Sequence, residues 1–356
     1  MGNLYTAAGQ ELAILDWVTR NWAAVAIALT LLSLGIFFCQ VLARYIKISY
    51  NIFVDCPPPL LMGPVDFTPL HGEVVRFRSY DGTSLRGMHL RTRNRANYKG
   101  TIVFCHEYRS DMYSCARYAR PLIEAGFDVF TFDYRGHGES SLPGKYKPLQ
   151  WPSDKELGDT LGACGYVEQQ LASEGKPAKI GIFGISRGAG SAILAAASDP
   201  NIKAIACDSG FCTETTITAF MKRWAHIFAR IKLVYENHPE WFWRFLTWML
   251  VHTAQRKLGC RYPSVRRALR EMQHRPVLFI HGRKDSYIRV DQSELLHVEA
   301  PSPKYAWFVE GAKHNQSVIA QPREYAQRTV AFFRKHLSEE AVASAEITAP
   351  KDSQVA

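Results

Sequence analysis

A serine at position 186 stands in a local sequence that could make it a nucleophile. Residues 184–188 read GISRG, follow the apolar run 179–183 and precede the alanine-rich stretch 189–197. This order predicts a strand, a sharp turn and a helix, and the small residues around Ser186 allow the chain to turn tightly. The serine oxygen then lies at the amino end of a helix, where negative charge is stabilised. Such a serine could attack a carbonyl carbon if a base lies beside it.

Two downstream residues could complete a proton relay with this serine. Asp285 follows an apolar run and a glycine, and His314 follows a second apolar run and another glycine. Ser186, Asp285 and His314 therefore lie on loops after strands. The carboxyl ends of parallel strands meet at one edge of a sheet, so the three side chains can converge there. The chemistry expected of them is acyl transfer, with Ser186 as nucleophile, His314 as base and Asp285 as the group that holds the imidazole.

From about residue 73 to residue 337 the chain resembles the α/β-hydrolase superfamily. The order Ser, Asp, His along the chain is the order found there, and residues 133–140, DYRGHGES, are similar to the D-x-R-G-x-G-x-S turn of that superfamily. The resemblance implies an α/β fold: a mostly parallel eight-stranded sheet with helices on both faces and a helical cap insert. It also implies a base after the last strand, which favours His314.

Other residues compete for these roles. Asp208 ends the apolar run 202–207 and is a rival for the acid, because some members of the superfamily carry the acid one strand earlier. His106 and His281 stand at predicted strand ends and are rivals for the base, and His137 is interpreted as structural.

The resemblance also implies two donors for an oxyanion. They are the backbone N–H groups of Tyr108, after the strand at 100–105, and of Arg187, directly after the nucleophile. Where the superfamily usually has H-G-x, this sequence has His106, Glu107 and Tyr108. A carboxylate beside a developing oxyanion is unfavourable, so Glu107 is expected to turn away or to pair with Arg109 or another cation.

The N-terminal segment predicts a membrane anchor. Residues 22–42 are almost entirely apolar and carry no charge, which is enough for a helix to cross a bilayer core of roughly 30 Å. A cleaved signal peptide is the alternative, but Glu11 and Asp16 precede the apolar run and no A-x-A site follows it. Arg44 and Lys47 against Arg20 favour a cytoplasmic catalytic domain by a small margin. Eight cysteines at irregular spacings suit a reducing compartment.

The expected organisation has four parts. They are an anchor segment at 1–48, a proline-rich linker at 49–70, a hydrolase domain at 71–338 with a cap insert at 211–273, and a disordered tail at 339–356. Helices are predicted near 112–125, 154–173 and 187–198, after an opening antiparallel hairpin at 73–91.

The cap insert is rich in both aromatic and basic residues. Its rings are interpreted as cap packing or as an apolar wall of the substrate pocket, formed by Trp241, Trp243 and Trp248. The insert carries eleven Lys and Arg residues, in a chain with a net charge of +10. This charge predicts either a face attracted to anionic lipid headgroups or an ordinary solvated surface, and no nucleic-acid motif accompanies it.

Two classes of function remain open at this point. The first is a serine hydrolase that cleaves an ester, thioester or amide of a hydrophobic, possibly lipid-like acyl group, with a serine aminopeptidase as its variant. The second is a non-catalytic hydrolase-like interaction protein. Neither a cofactor nor a metal is expected, because the sequence has no C-x-x-C pair and His106 has no second histidine at helical spacing. The sequence does not indicate an oligomeric state.

Overall fold

The computed structural model describes residues 17–55, 67–93, 95–144, 146–228, 236 and 238–337. The chain divides into two compact units, Met1–Cys56 and Pro57–Ala356. The expected tail at 339–356 lies outside the described residues.

The larger unit is built on one eight-stranded sheet in the order β1-β2-β4-β3-β5-β6-β7-β8. Its strands are β1 (Glu73–Arg78), β2 (Ser84–Leu90), β3 (Gly100–Cys105), β4 (Phe127–Phe132), β5 (Ile180–Ile185), β6 (Ile202–Asp208), β7 (Val277–Gly282) and β8 (Lys304–Val309). The opening hairpin β1–β2 is antiparallel and β2 pairs antiparallel with β4, whereas every pair from β4 to β8 is parallel. The predicted mostly parallel sheet is confirmed.

Helices cover both faces of this sheet. They are α2 (Ala116–Glu124), α3 (Asp154–Ser173), α4 (Arg187–Ser198), α5 (Thr213–Phe228), α6 (Glu240–Leu258), α7 (Val265–Glu271), α8 (Asp291–Glu299), α9 (Ser317–Ala320) and α10 (Pro322–Leu337), with short 3-10 turns at Arg95–Asn97 and Met112–Cys115. Alternate residues of a strand point to opposite faces, and β3 shows this: Val103 packs in the core with α3 and α4, and Ile102 in the core with α2 and α10. Both faces are therefore buried, which explains why the central strands are apolar throughout.

The insert between β6 and β7 is helical, as expected. It contains α5, α6 and α7, and the hydroxyl groups of Thr218 and Thr247, 2.8 Å apart, join α5 to α6. Trp243 is buried, but Trp241 and Trp248 are 67% and 61% exposed. The expectation that these three tryptophans line a pocket is therefore wrong for Trp241 and Trp248. Periodicity alone could not show this, because α6 is apolar on all sides.

Among the described residues of the N-terminal unit, helix α1 (Trp22–Asp55) is long and apolar enough to span a membrane. None of the side chains in its most apolar segment is buried. The helix continues beyond the expected start of the linker at residue 49, because residues 49–55 contain neither proline nor glycine. It ends two residues before Pro57, and proline excludes the residue before it from helical geometry. Residues 56–66, half of the expected linker, lie outside the described residues.

Candidate active site

Ser186 lies in a tight turn between β5 and α4. Its φ and ψ are 53° and −114°, a conformation that residues other than glycine rarely adopt. The flanking glycines are required by close approaches of the backbone. A Cβ on Gly188 would lie 2.2 Å from the carbonyl oxygen of Cys105 on β3, and one on Gly184 would lie 2.3 Å from the carbonyl oxygen of Gly188. The turn therefore depends on both glycines, as the pattern predicts.

The structure brings the three predicted relay residues together. The Ser186 Oγ lies 3.0 Å from the His314 Nε2, and the His314 Nδ1 lies 2.6 Å from the Asp285 Oδ2. Asp285 follows β7 and His314 follows β8, so both reach the sheet edge at which β5 ends. The two hydrogen bonds form one continuous chain from a hydroxyl group through an imidazole to a carboxylate. This chain can carry a proton away from the serine oxygen.

Asp285 is held in its ionised form by several donors. Its Oδ1 accepts from the backbone N–H groups of Tyr287, at 2.9 Å, and Ile288, at 2.8 Å. Burial opposes ionisation of Asp285, but hydrogen bonds from His281 and His314 outweigh it and lower the pKa of the carboxyl to about 2. A carboxylate that is charged at neutral pH can fix the imidazole tautomer and stabilise the imidazolium that forms during the reaction.

His281 contributes to this site without facing the serine. Its ring is fully buried, and its Nε2 lies 3.1 Å from the Asp285 Oδ2 and 2.9 Å from the carbonyl oxygen of Ile288. Its Nδ1 contacts the Ser293 Oγ at 2.6 Å. Asp285 is thus shared by two histidines, an arrangement that sequence reasoning missed, although His281 lies only four residues before Asp285.

Asp208, the rival acid, does not reach His314. Its carboxylate accepts hydrogen bonds from Ser209 Oγ and Tyr325 OH, each at 2.9 Å. Burial raises the pKa of Asp208 to about 6, against these two hydrogen bonds. Ser209 Oγ in turn accepts from the backbone N–H of Asn315 at 3.2 Å, so Asp208 supports the loop that carries His314.

The other rival histidines are held by the scaffold. His106 is fully buried, with its Nδ1 2.6 Å from the carbonyl oxygen of Glu107 and its Nε2 accepting from the backbone N–H of Tyr134 at 3.2 Å. Burial lowers the pKa of His106 well below its ordinary value. His137 contacts the carbonyl oxygen of Arg135 at 3.1 Å, and burial, with the charge of Arg187, lowers its pKa to about 3. Both rings are therefore neutral and structural.

The side chain of Glu107 pairs with a cation. Its Oε1 accepts from the Arg117 guanidinium at 2.8 Å, and its Oε2 lies 3.5 Å from the Ser114 Oγ. The expected pairing is confirmed, with Arg117 in place of Arg109. Arg187, whose N–H is the other predicted oxyanion donor, is the first residue of α4, so this N–H has no partner inside the helix.

An aromatic path leads from the relay into the cap. The Tyr287 ring lies 5.2 Å from the His314 ring, and the Phe220 ring on α5 lies 5.7 Å from Tyr287, between ring centroids. Phe220 also meets the buried Trp151 and the ring of Trp224, at 6.0 and 5.8 Å. The sequence predicts that the cap is aromatic but does not identify Tyr287. The only signal for Tyr287 is its position two residues after Asp285.

Within the described residues no group of three or more His, Cys, Asp or Glu side chains is arranged to hold a metal ion.

The fold is that of the α/β hydrolases. The structure is similar to the Pyrococcus furiosus esterase Pf2001, with a TM-score of 0.55 at 22% identity, over 79% of this chain and 99% of that one. It is also similar to the hypothetical protein PA2218 from Pseudomonas aeruginosa, with a TM-score of 0.52 at 20% identity, over 78% of this chain and 99% of that one.

The chain belongs to the serine aminopeptidase S33 family of hydrolases, whose model matches residues 96–274. Among curated proteins, it is 27% identical over 298 residues to the uncharacterized protein YfhR of Salmonella typhi, covering 79% of this chain and 87% of that protein. It is 24% identical over 266 residues to the uncharacterized protein YqkD of Bacillus subtilis, covering 72% of this chain and 77% of that protein.

Proposed function

We propose that this protein is a serine hydrolase that cleaves esters of hydrophobic acyl groups. The observation that carries this proposal is the hydrogen-bond chain from Ser186 through His314 to Asp285 at the head of α4. A non-catalytic role would not require a serine in a rare backbone conformation with a base 3.0 Å from its oxygen. The S33 family and the esterase-like fold support the same class of reaction.

In the proposed reaction the Ser186 Oγ attacks the acyl carbonyl carbon while His314 Nε2 takes the hydroxyl proton. The N–H groups of Tyr108 and Arg187 bind the resulting oxyanion, and Asp285 stabilises the imidazolium. When the tetrahedral intermediate collapses, His314 gives the proton to the leaving oxygen and an acyl-enzyme remains. Water, deprotonated by the same histidine, then attacks the acyl-enzyme and releases the acid and free Ser186.

The aromatic path supports an apolar acyl group over an aminoacyl group. A peptidase that recognises a free amino terminus needs a carboxylate to hold the amine, and the cap offers few. Glu240 pairs with Lys222, and Glu271 lies 2.7 Å from Arg267. Glu214 is hydrogen-bonded to Ser264, and Glu236, the fourth carboxylate of the cap, is exposed to solvent. The Tyr287 ring, by contrast, lies beside His314, and the Phe220 ring lies beside Tyr287, where an acyl chain bound to Ser186 could contact them.

The chain-length profile of ester hydrolysis tests this substrate class. Each methylene buried against Phe220 contributes about 0.8 kcal/mol, roughly fourfold in kcat/KM. Purified protein is therefore expected to prefer octanoyl over acetyl p-nitrophenyl esters by well over tenfold. Phe220→Ala should reduce this ratio, whereas Phe245→Ala, on the exposed face of α6, should leave it unchanged.

Hydrolysis of aminoacyl p-nitroanilides, measured in parallel, distinguishes an esterase from an aminopeptidase. A flat chain-length profile together with faster cleavage of the amides would contradict the proposed substrate class and favour an aminopeptidase. Absence of turnover on both kinds of substrate would contradict catalysis altogether.

We further propose that α1 is an uncleaved anchor and that the hydrolase unit lies in the cytoplasm. The seven described cysteines are free, and six of them are buried, which suits a reducing compartment. The protein is expected to stay in the membrane fraction after a wash with alkaline carbonate. N-terminal sequencing of this membrane-bound protein is expected to show that residues 22–42 are retained. A mature terminus after residue 42 would identify a signal sequence.

The orientation can be tested at Val298, which is 72% exposed. A Val298→Cys variant should react with a membrane-impermeant maleimide only after the cells are permeabilised. Reaction in intact cells would place the hydrolase unit outside.

A further inference from the structure

Helix α6 carries apolar residues on every side, but the described part of the chain covers only one side. Trp243, Leu246 and Leu250 lie on its buried side. On the other side Trp241, Phe245 and Trp248 are 67%, 44% and 61% exposed. A surface helix normally shows polar residues on its solvent side. Large exposed apolar patches on folded proteins mark sites of interaction with a partner or a membrane.

These three exposed rings and the half-buried His252 ring lie in one row along the helix. Trp241, Phe245, Trp248 and His252 follow one another at spacings of four, three and four residues, so they lie on one face of the helix. We call these four residues the aromatic strip. The Phe245 and Trp248 rings are stacked with centroids 6.1 Å apart, and the Trp248 and His252 rings with centroids 5.5 Å apart. At 1.5 Å per residue the strip extends for about 16 Å.

The charges on this helix are positive. Arg244, Arg256 and Lys257 are exposed on α6, and the one acidic residue of the helix, Glu240, pairs with Lys222 on α5. The cap insert as a whole has eleven Lys and Arg residues against four Glu residues. Such a surface is complementary to anionic groups.

Tryptophan together with arginine and lysine is the composition of helices that lie in the interface of a bilayer. Their indole rings occupy the headgroup level, and their cations bind anionic lipids. This chain also carries α1, which is long and apolar enough to span a membrane. We propose that the aromatic strip of α6 inserts into the interface of an anionic bilayer, with Arg244 and Arg256, which flank the strip on the helix surface, contacting lipid headgroups.

Fluorescence quenching by brominated lipids tests this proposal on the full-length protein. The protein is reconstituted into vesicles of phosphatidylcholine and phosphatidylglycerol with or without bromine on the acyl chains, and the bromine-quenched part of the emission is measured. Trp241→Phe/Trp248→Phe removes two of the eight tryptophans while it keeps both rings apolar. We expect the bromine-quenched emission to fall by the contribution of these two indoles.

The matched control is Trp307→Phe on β8, which removes one indole outside the cap and should leave the bromine-quenched emission unchanged. Replacing phosphatidylglycerol with phosphatidylcholine should reduce the quenching that depends on Trp241 and Trp248. Equal bromine-quenched emission from the parent and the double variant would overturn the proposal. Equal emission would also be found if a second copy of the chain or another protein covered the strip, and that result would overturn the proposal as well.

Discussion

Replacing Ser186 with alanine is expected to abolish ester hydrolysis, with a loss in kcat on the order of 10⁶-fold. The substitution removes the attacking oxygen and leaves the turn between β5 and α4 in place, because alanine tolerates the backbone conformation of Ser186 no worse than serine does. His314→Ala should cost a similar factor, since without the base the serine keeps its proton. The double variant should lose no more than either single one, because the members of such a relay act as a unit.

The measurement is steady-state turnover of p-nitrophenyl octanoate by parent and variants. Thermal unfolding serves as the control, and Ser186→Ala is expected to unfold within a few degrees of the parent. Turnover by either variant within tenfold of the parent would show that Ser186 and His314 do not carry the reaction.

The second large effect is expected for Asp285→Asn, at about 10⁴-fold in kcat. The amide would favour the wrong imidazole tautomer, in which His314 no longer accepts the proton of Ser186. The loss should be in kcat, with KM changed little, because Asp285 contacts His314 and His281 and not the expected acyl site.

Asp208→Asn is the matched control, because Asp208 is an equally buried carboxylate at the end of the neighbouring strand. It is expected to keep most of the activity. Burial raises the pKa of Asp208 from 3.8 to about 6, so its ionisation makes the folded state less stable as pH rises from about 4 to 6. The amide should remove this dependence in denaturant unfolding measured across the same pH window. A larger loss of activity for Asp208→Asn than for Asp285→Asn would move the acid to β6.

Much of the fold follows from local sequence signals. Helix α3 has the bounds that its pattern predicts, since the Ser153 side chain accepts from a backbone N–H of its first turn and the Glu156 carboxylate bonds back to the Ser153 N–H. The β1–β2 hairpin was visible from the turn at 81–82, and its register pairs Phe77 with Leu85. The sequence predicts that the linker starts at residue 49, but α1 continues to Asp55, because residues 49–55 contain neither proline nor glycine.

The site could be predicted in outline because its members follow strand ends in a fixed order. The sequence could not show which carboxylate faces His314, since Asp208 ends one apolar strand and Asp285 follows the next. The structure brings Asp285 to 2.6 Å from the His314 Nδ1. The partner of Glu107 was equally open, because Arg109 is its neighbour in sequence but Arg117 approaches it from the first turn of α2.

The cap shows where sequence patterns fail. Helix α6 has aromatic or aliphatic residues on every side, so its periodicity gives no direction, and the buried set of Trp243, Leu246 and Leu250 emerges only from its packing. Trp241 and Trp248, which were expected to line the pocket, instead belong to the exposed aromatic strip. The ring that lies next to Tyr287 is that of Phe220 on α5.

Covalent labelling of Ser186 tests directly whether this serine is an activated nucleophile. A fluorophosphonate reacts with an activated serine and not with an ordinary hydroxyl group, because it requires the base and the oxyanion donors that the proposed reaction uses. Mass spectrometry of the labelled and digested protein is expected to find one adduct, on Ser186, that is absent from Ser186→Ala and strongly reduced in His314→Ala. Failure of the folded parent protein to react, or an adduct on another residue that survives in Ser186→Ala, would show that Ser186 is not the nucleophile.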